Sequence, residues 1–183
     1  MFESWKSSLQ RKIITIRLKQ LSKNTPPPEI TADTLWHNID SVLVIMGMHT
    51  AGCPDPVFNR LIERFPEATI LALRLPGAPI TVTDAVFNDP HLKFSPLEHE
   101  DVSMLGTIGT HLRERLTGCH ATLAIDLSLT FDPLSAYICQ QSGARIKIGF
   151  ARPEQELVFN YQIAPGAGGV PDDWYSAMAR YIG

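Results

Sequence analysis

The sequence predicts a doubly wound α/β domain, in which a mostly parallel sheet is covered on both sides by helices in a Rossmann-like, three-layer arrangement. Continuous apolar runs at 41–46 and 121–126 are typical of strands that are buried on both faces. Segments with helical spacing of apolar residues alternate with these runs. The length of 183 residues, 44% of them hydrophobic, suits one domain with a sizeable core. We therefore expect one domain and no room for a two-domain enzyme.

Residues 1–23 predict a basic amphipathic helix. Six Lys and Arg side chains against Glu3 give this segment a net charge of +5, so the remainder carries −8 of the overall −3. One apolar stripe consists of Phe2, Trp5, Leu9, Ile13 and Ile16, and a second consists of Ile14, Leu18 and Leu21. Such a helix could pack on its own domain, pack on a second copy in a homodimer, or lie weakly on an anionic membrane surface.

The proline run at 26–28 ends this helix, because proline lacks an N–H donor and fixes φ. It predicts a linker over 24–40, which leaves 41–183 as the Rossmann-like domain. After the strand at 41–46, Asp55 is expected to cap a helix whose first residue is Pro56. The segment 69–73 is predicted to be the next strand. Two further short strands are predicted at 80–83 and 92–94.

The second half continues the alternation of helices and strands. A helix is predicted over 101–117, with Gly118 as its left-handed stop. Asp132 and Pro133 are expected to open another helix, which Gly143 closes. The remaining predicted elements are strands at 121–126 and 145–150, an edge strand at 161–163 and a terminal helix at 171–182.

The candidate site lies in the loops that follow the strands at 41–46 and 121–126, because open parallel sheets bind ligands beyond the carboxyl ends of their strands. Both loops lead into helix N-termini, which favour a phosphate or a carboxylate. The predicted ligand-binding residues are Thr50, Gly52, Ser128, Thr130 and Asp132. His49 and Asp55 are the candidates for catalysis. The simpler alternative is that both aspartates only cap helices and that His49 is an ordinary loop residue.

Specific cofactor motifs are absent from the sequence. Gly47 and Gly52 have the spacing of a P-loop, but Cys53 and Pro54 stand where Lys and Ser or Thr are needed. No Gly-x-Gly-x-x-Gly follows a strand, and no Gly-x-Ser-x-Gly supplies a serine nucleophile. The histidines near 91–100 lack a metal-ligand spacing. We expect neither a cofactor nor a metal.

Composition also restricts compartment and partners. The three cysteines are odd in number and far apart, which is typical of reduced thiols in the cytoplasm. No apolar run is long enough to span a membrane, and no export signal is present. Nucleic-acid binding is excluded as a function class because residues 24–183 are acidic.

The second half resembles the N-terminal half of family 9 glycosyltransferases, the ADP-heptose lipopolysaccharide heptosyltransferases. The resemblance rests on Ile125-Asp126-Leu127, then Gly143-Ala144-Arg145, then Lys147-Ile148-Gly149-Phe150. The strand at 42–45, the helix ending Arg64-Phe65-Pro66 and the stretch Phe159-Asn160-Tyr161 extend it to residues 41–163.

This resemblance implies one of two Rossmann-like domains, the one that contacts the acceptor, without the domain that holds the nucleotide sugar. It also implies a Gly-Asp turn with a catalytic aspartate, but Gly52 is followed by Cys53 and the nearest acid is Asp55. We therefore expect a short bacterial protein that acts as a binding or accessory domain without transferase activity of its own. The alternative is a small enzyme acting on a sugar or phosphorylated sugar, completed by a second copy or a partner. A third hypothesis places a cytoplasmic protein at the inner membrane through residues 1–23.

Overall fold

The centre of the fold is a sheet of parallel strands in the computed structural model, which describes residues 12–21, 35–47, 50, 52–78, 82–103, 108–152, 158–164 and 169–183. The strands are β1 (Ser41–Met46), β2 (Thr69–Arg74), β3 (Leu92–Pro96), β4 (Leu123–Asp126), β5 (Ile146–Phe150) and β6 (Tyr161–Ile163). Their order is β3-β2-β1-β4-β5-β6, and every pairing is parallel. The predicted doubly wound α/β class is confirmed.

β1 lies in the middle of the sheet because it is apolar on both faces. Val42 pairs with Ile70 of β2 on one side and with Leu123 of β4 on the other. All six residues of β1 are buried. Successive side chains of a strand point to opposite faces, so Val44 and Leu43 belong to two different hydrophobic clusters. The helices must therefore cover both faces.

Six α-helices flank the sheet within the described residues. They are α1 (12–21), α2 (Asp55–Arg64), α3 (Asp84–Phe87), α4 (Thr110–Cys119), α5 (Pro133–Gln141) and α6 (Pro171–Ile182). Buried side chains of α2, α3 and α6, such as Phe58 and Tyr175, pack on the Val44 face. Those of α1, α4 and α5, such as Leu112 and Ile138, pack on the Leu43 face. The molecule is thus a three-layer sandwich.

α1 packs on its own domain through the second of its two predicted stripes. Ile14 and Leu18 are each 2% exposed and belong to the cluster that contains Leu43, whereas Ile16 of the first stripe is 56% exposed. The part of the helix prediction before residue 12 lies outside the described residues. Leu35 and Ile39, near the end of the predicted linker, are buried in the other cluster. Within the described residues, no helix combines the length and hydrophobicity needed to cross a membrane.

The helix predicted over 101–117 is wrong at both ends. Asp101 ends a short 3-10 helix (His99–Asp101), and α4 begins only at Thr110. The reason is that the buried Asp101 carboxylate bonds to the Arg115 side chain and the Glu98 N–H, so it does not start α4. The left-handed residue after α4 is His120, with φ of 45°, rather than Gly118.

The strand predicted at 80–83 is not found in its described part. Val82 and Thr83 lie in no strand, and Thr83 instead precedes α3. The helix α3 was not predicted from the sequence. Residues 80 and 81 lie outside the described residues. The described part of the chain between β2 and β3 therefore includes a short helix on the α2 side of the sheet.

Candidate functional site

The candidate site lies between β1 and β4, where the strand order reverses. Ile45 of β1 pairs with Asp126, the last residue of β4. Gly47 follows β1, and a Cβ atom placed on it would lie 2.0 Å from Ser128 Oγ. A side chain at position 47 would therefore collide with Ser128. The two loops leave the sheet in direct contact.

Asp126 is a fully buried carboxyl group at the end of β4. Burial raises its pKa to about 7, and the negative charge of Asp132 adds to the increase. The hydroxyls of Ser128 and Ser135 and the Ser128 N–H act in the opposite direction, since they favour the ionised form. The Ser128 N–H donates to Asp126 Oδ1 at 2.9 Å. This carboxyl can therefore hold or release a proton near neutral pH.

Several polar side-chain atoms at the ends of β1 and β4 have unused hydrogen-bonding capacity. Within the described part of the chain, four buried oxygens make no hydrogen bond of good geometry, namely Thr50 Oγ1, Asp126 Oδ2, Ser128 Oγ and Ser135 Oγ, although the two serine hydroxyls interact with Asp126 and lower its pKa. Leaving a buried polar group unpaired costs about 1–3 kcal/mol. A scaffold without a site would gain stability from apolar side chains here.

The N-terminus of α5 is already occupied by a carboxylate of the chain itself. Asp132 Oδ1 accepts hydrogen bonds from the N–H groups of Leu134 at 3.0 Å and Ser135 at 3.4 Å. The predicted cap is confirmed, and it typically contributes about 1 kcal/mol. These N–H groups are not available to a phosphate, and the nearby carboxyls disfavour a second anion. The cap occupies N–H groups at which the sequence analysis expected an anion, and anion binding at this helix stays a prediction.

Asp55 does not cap α2, in contrast to the prediction. α2 begins at Asp55 itself, and the capping position is taken by Pro54, which makes no side-chain cap. Both carboxylate oxygens of Asp55 instead accept from the Thr83 N–H at 3.2 Å. The carboxylate therefore ties the start of α2 to the segment before α3.

The loop after β1 is also bonded to the start of α6. The Cys53 N–H donates to Asp172 Oδ1 at 3.0 Å, and a Cβ on Gly52 would lie 2.4 Å from the same oxygen. Gly52 has a φ of 77°, a conformation that side chains disfavour. Burial raises the pKa of the Cys53 thiol, and the charges of Asp55 and Asp172 add to this effect. The reactive thiolate form of Cys53 is therefore disfavoured.

A cation lies beside the loop after β4. Arg152, which follows β5, donates from Nε at 3.2 Å and from Nη2 at 2.5 Å to the Leu129 carbonyl oxygen. Its guanidinium group lies 4.4 Å from the centre of the Trp174 ring. The carbonyl and the ring together hold this charge in place. Among the described residues, no three His, Cys, Asp or Glu side chains are grouped so as to hold a metal ion.

The structure brings only part of the predicted site together. Thr50, Ser128 and Asp132 are buried, and Gly52 and Thr130 are exposed. His49 lies outside the described residues, and the binding and catalytic roles of all these residues stay predictions. Sequence reasoning missed Asp126, Ser135 and Asp172 as candidates. A signal existed for Asp126, since it is a charged residue that ends an otherwise apolar strand.

Three solved glycosyltransferase structures contain a domain with a fold similar to that of this chain. No family model matches the sequence, and no curated protein matches it. The ADP-heptose lipopolysaccharide heptosyltransferase II of E. coli has a similar fold, with 17% identity and a TM-score of 0.50 over 76% of this chain and 40% of that one. A family 9 glycosyltransferase from Veillonella parvula DSM 2008 aligns at 12% identity, a TM-score of 0.49, and 78% and 41% coverage.

The E. coli heptosyltransferase WaaC with ADP aligns at 13% identity and a TM-score of 0.49, over 75% of this chain and 45% of that one. The chain thus spans less than half the length of each of these structures. At such identities the likeness is one of fold alone. The resemblance seen in the sequence is confirmed at that level: the chain has the fold of one Rossmann-like domain of the family 9 heptosyltransferases.

Proposed function

We propose that the chain is a sugar-binding accessory domain that takes its ligand between β1 and β4 and does not transfer glycosyl groups on its own. The observation that carries this proposal is the set of buried polar side chains, chiefly Thr50, Asp126 and Ser128, whose oxygens make no hydrogen bond of good geometry to the residues that the structure describes. They lie at the switch point of the sheet, where open α/β domains bind ligands. The fold of a heptosyltransferase domain is consistent with a sugar as the ligand.

The polar groups suit a neutral sugar better than an anion. A hydroxyl such as that of Ser128 both donates and accepts hydrogen bonds, as each sugar hydroxyl does. Asp126 can accept when ionised and can also donate when protonated, which its pKa of about 7 permits. The carboxyls of Asp126 and Asp132 would repel a phosphate placed between them. We therefore expect the sugar ring, rather than a phosphate group, to occupy this position.

An accessory role is supported by the residues that follow β1. The acid nearest to the expected Gly-Asp turn is Asp55, and both of its carboxylate oxygens are bonded to the Thr83 N–H. This arrangement gives Asp55 a structural task and leaves the turn after β1 without a catalytic base of the expected kind.

A second candidate function is a small enzyme that acts on a sugar or phosphorylated sugar and is completed by a second copy or a partner. Asp126 favours it, because a buried carboxyl with a pKa of about 7 can act as a general acid or base at neutral pH. Under this alternative, Asp126→Asn abolishes a turnover that the wild-type chain performs. Under the accessory function, the wild-type chain turns over none of the probes.

The test is calorimetric titration with a free heptose, the heptose phosphate and ADP-heptose, accompanied by product analysis. We expect the free sugar to bind and Ser128→Ala to weaken it about tenfold through the loss of one hydrogen bond. The matched control is Ser41→Ala, since Ser41 donates to the Cys119 carbonyl oxygen at 2.5 Å at the opposite end of the sheet. If no probe binds, or if Ser128→Ala and Ser41→Ala bind alike, the proposal is wrong.

A further inference from the structure

α1 has two apolar faces, and the domain uses one of them. Ile14 and Leu18 are buried in the cluster that also contains Leu112 of α4. They hold α1 against the sheet layer and fix which side of the helix faces outward. The outward side can therefore be identified from the exposure of the remaining residues.

The outward side combines an exposed apolar residue with cations. Ile16 is 56% exposed, although isoleucine is among the residues most often buried. Ile13 lies three positions earlier on the same side and is partly exposed. Lys12 and Lys19 lie four positions before and three after Ile16, so they flank the isoleucines, and both are exposed. Arg17 lies on the opposite flank, since it follows Ile13 by four positions.

The sequence before residue 12 repeats this pattern. Phe2, Trp5 and Leu9 continue the spacing of Ile13 and Ile16, although these three lie outside the described residues. The net charge of +5 in residues 1–23 contrasts with −8 in the rest of the chain. An anionic surface would attract this segment and repel the domain, so it would orient the molecule with α1 toward that surface.

We propose that the outward face of α1, with Ile13 and Ile16 between Lys12, Lys19 and Arg17, docks on an anionic lipid bilayer. The isoleucines enter the boundary between headgroups and acyl chains, and the cations lie among the lipid phosphates. An apolar strip flanked by cations is typical of helices that lie in the plane of a membrane surface. The surface is independent of the sugar site, so either proposal can fail without the other.

The experiment is flotation of the full chain with vesicles of phosphatidylcholine alone, or of phosphatidylcholine with phosphatidylglycerol. We expect binding to the anionic vesicles only. The double variant Lys12→Gln, Lys19→Gln should bind them on the order of 30-fold more weakly. Ile16→Ser should bind about tenfold more weakly, since it removes an apolar side chain from the interface.

The matched control is Arg113→Gln, Arg180→Gln, which changes the net charge equally at exposed residues of α4 and α6 and should leave binding unchanged. Thermal unfolding checks that every variant remains folded. Equal losses in the two double variants, equal binding to neutral vesicles, or no binding would overturn the proposal. The proposal would also be overturned if the wild type formed a dimer in solution, did not bind vesicles, and lost the dimer in Ile16→Ser. In that case this face of α1 would bind a second copy of the chain.

Discussion

Asp126 should make the folded chain less stable as the pH rises, and replacing it by asparagine should remove this effect. Burial raises the pKa of this carboxyl from 3.8 to about 7 in the folded chain. Between these values the folded chain keeps a proton that the unfolded chain releases. The free energy of unfolding therefore falls as the pH rises through this window. Below it both states are protonated and no penalty exists, whereas above it the penalty is complete.

The expected magnitude follows from the shift of about 3 pKa units, which corresponds to about 4 kcal/mol once the penalty is complete. Part of it is already present at pH 5, so about 2–3 kcal/mol remains to develop between pH 5 and pH 8. Asparagine does not titrate, and its Oδ1 can still accept from the Ser128 N–H. The stability of Asp126→Asn relative to the wild type should therefore rise by this amount between the two pH values.

The assay is urea unfolding of both proteins at pH 5 and pH 8, followed by circular dichroism. Any cost of asparagine that does not depend on pH cancels in the difference. Asp40→Asn is the control, because Asp40 is an exposed aspartate just before β1. The reasoning is refuted if the stability difference for Asp126→Asn is the same at both pH values. A ¹³C titration that places the pKa of the Asp126 carboxyl near 4 would refute it as well.

Substitutions at two further residues test contacts near the sheet. Burial raises the pKa of Asp101, but the Glu98 N–H and the Arg115 guanidinium outweigh it and lower that pKa below 3.8. The stabilisation that the ionised Asp101 gives is therefore present above pH 3.8 and is lost as the pH falls. Asp101→Asn should lower the free energy of unfolding by about 2–3 kcal/mol at pH 7 and by less in acid. A loss that urea unfolding finds to be independent of pH would contradict this. Asp132→Ala should lower the free energy of unfolding by about 1 kcal/mol, and Asp132→Asn should lower it much less, because asparagine also caps helices. Equal losses for the two variants in calorimetric unfolding would show that capping is unimportant.

The fold class could be predicted because its main signal is local. A strand that is buried on both faces, such as β1, must be apolar throughout, and this is visible in the sequence. The start of α4 could not be predicted, because the segment from residue 101 onward has helical spacing, whereas the Asp101 carboxylate is bonded to the distant Arg115. The packed stripe of α1 could not be chosen either, since Ile14 and Ile16 are equally apolar.

The site was predictable in position and less so in chemistry. The rule for parallel sheets led to Thr50 and Ser128, and both are buried near the switch point. The raised pKa of Asp126 depends on burial by the surrounding layers and on the charge of Asp132, which no local pattern reveals. The hydrogen bond from the Cys53 N–H to Asp172 joins residues that are 119 positions apart, so it can be identified only in the folded structure.

The packing of α6 against α2 affects how the protein can be made. Arg60 of α2 donates to the Gly183 carbonyl oxygen, which follows α6, at 2.7 Å. α2 is synthesised before α6, so the part of α2 that α6 covers, around Arg60, stays open until α6 has been made. Apolar surface that is exposed in this way during synthesis favours aggregation.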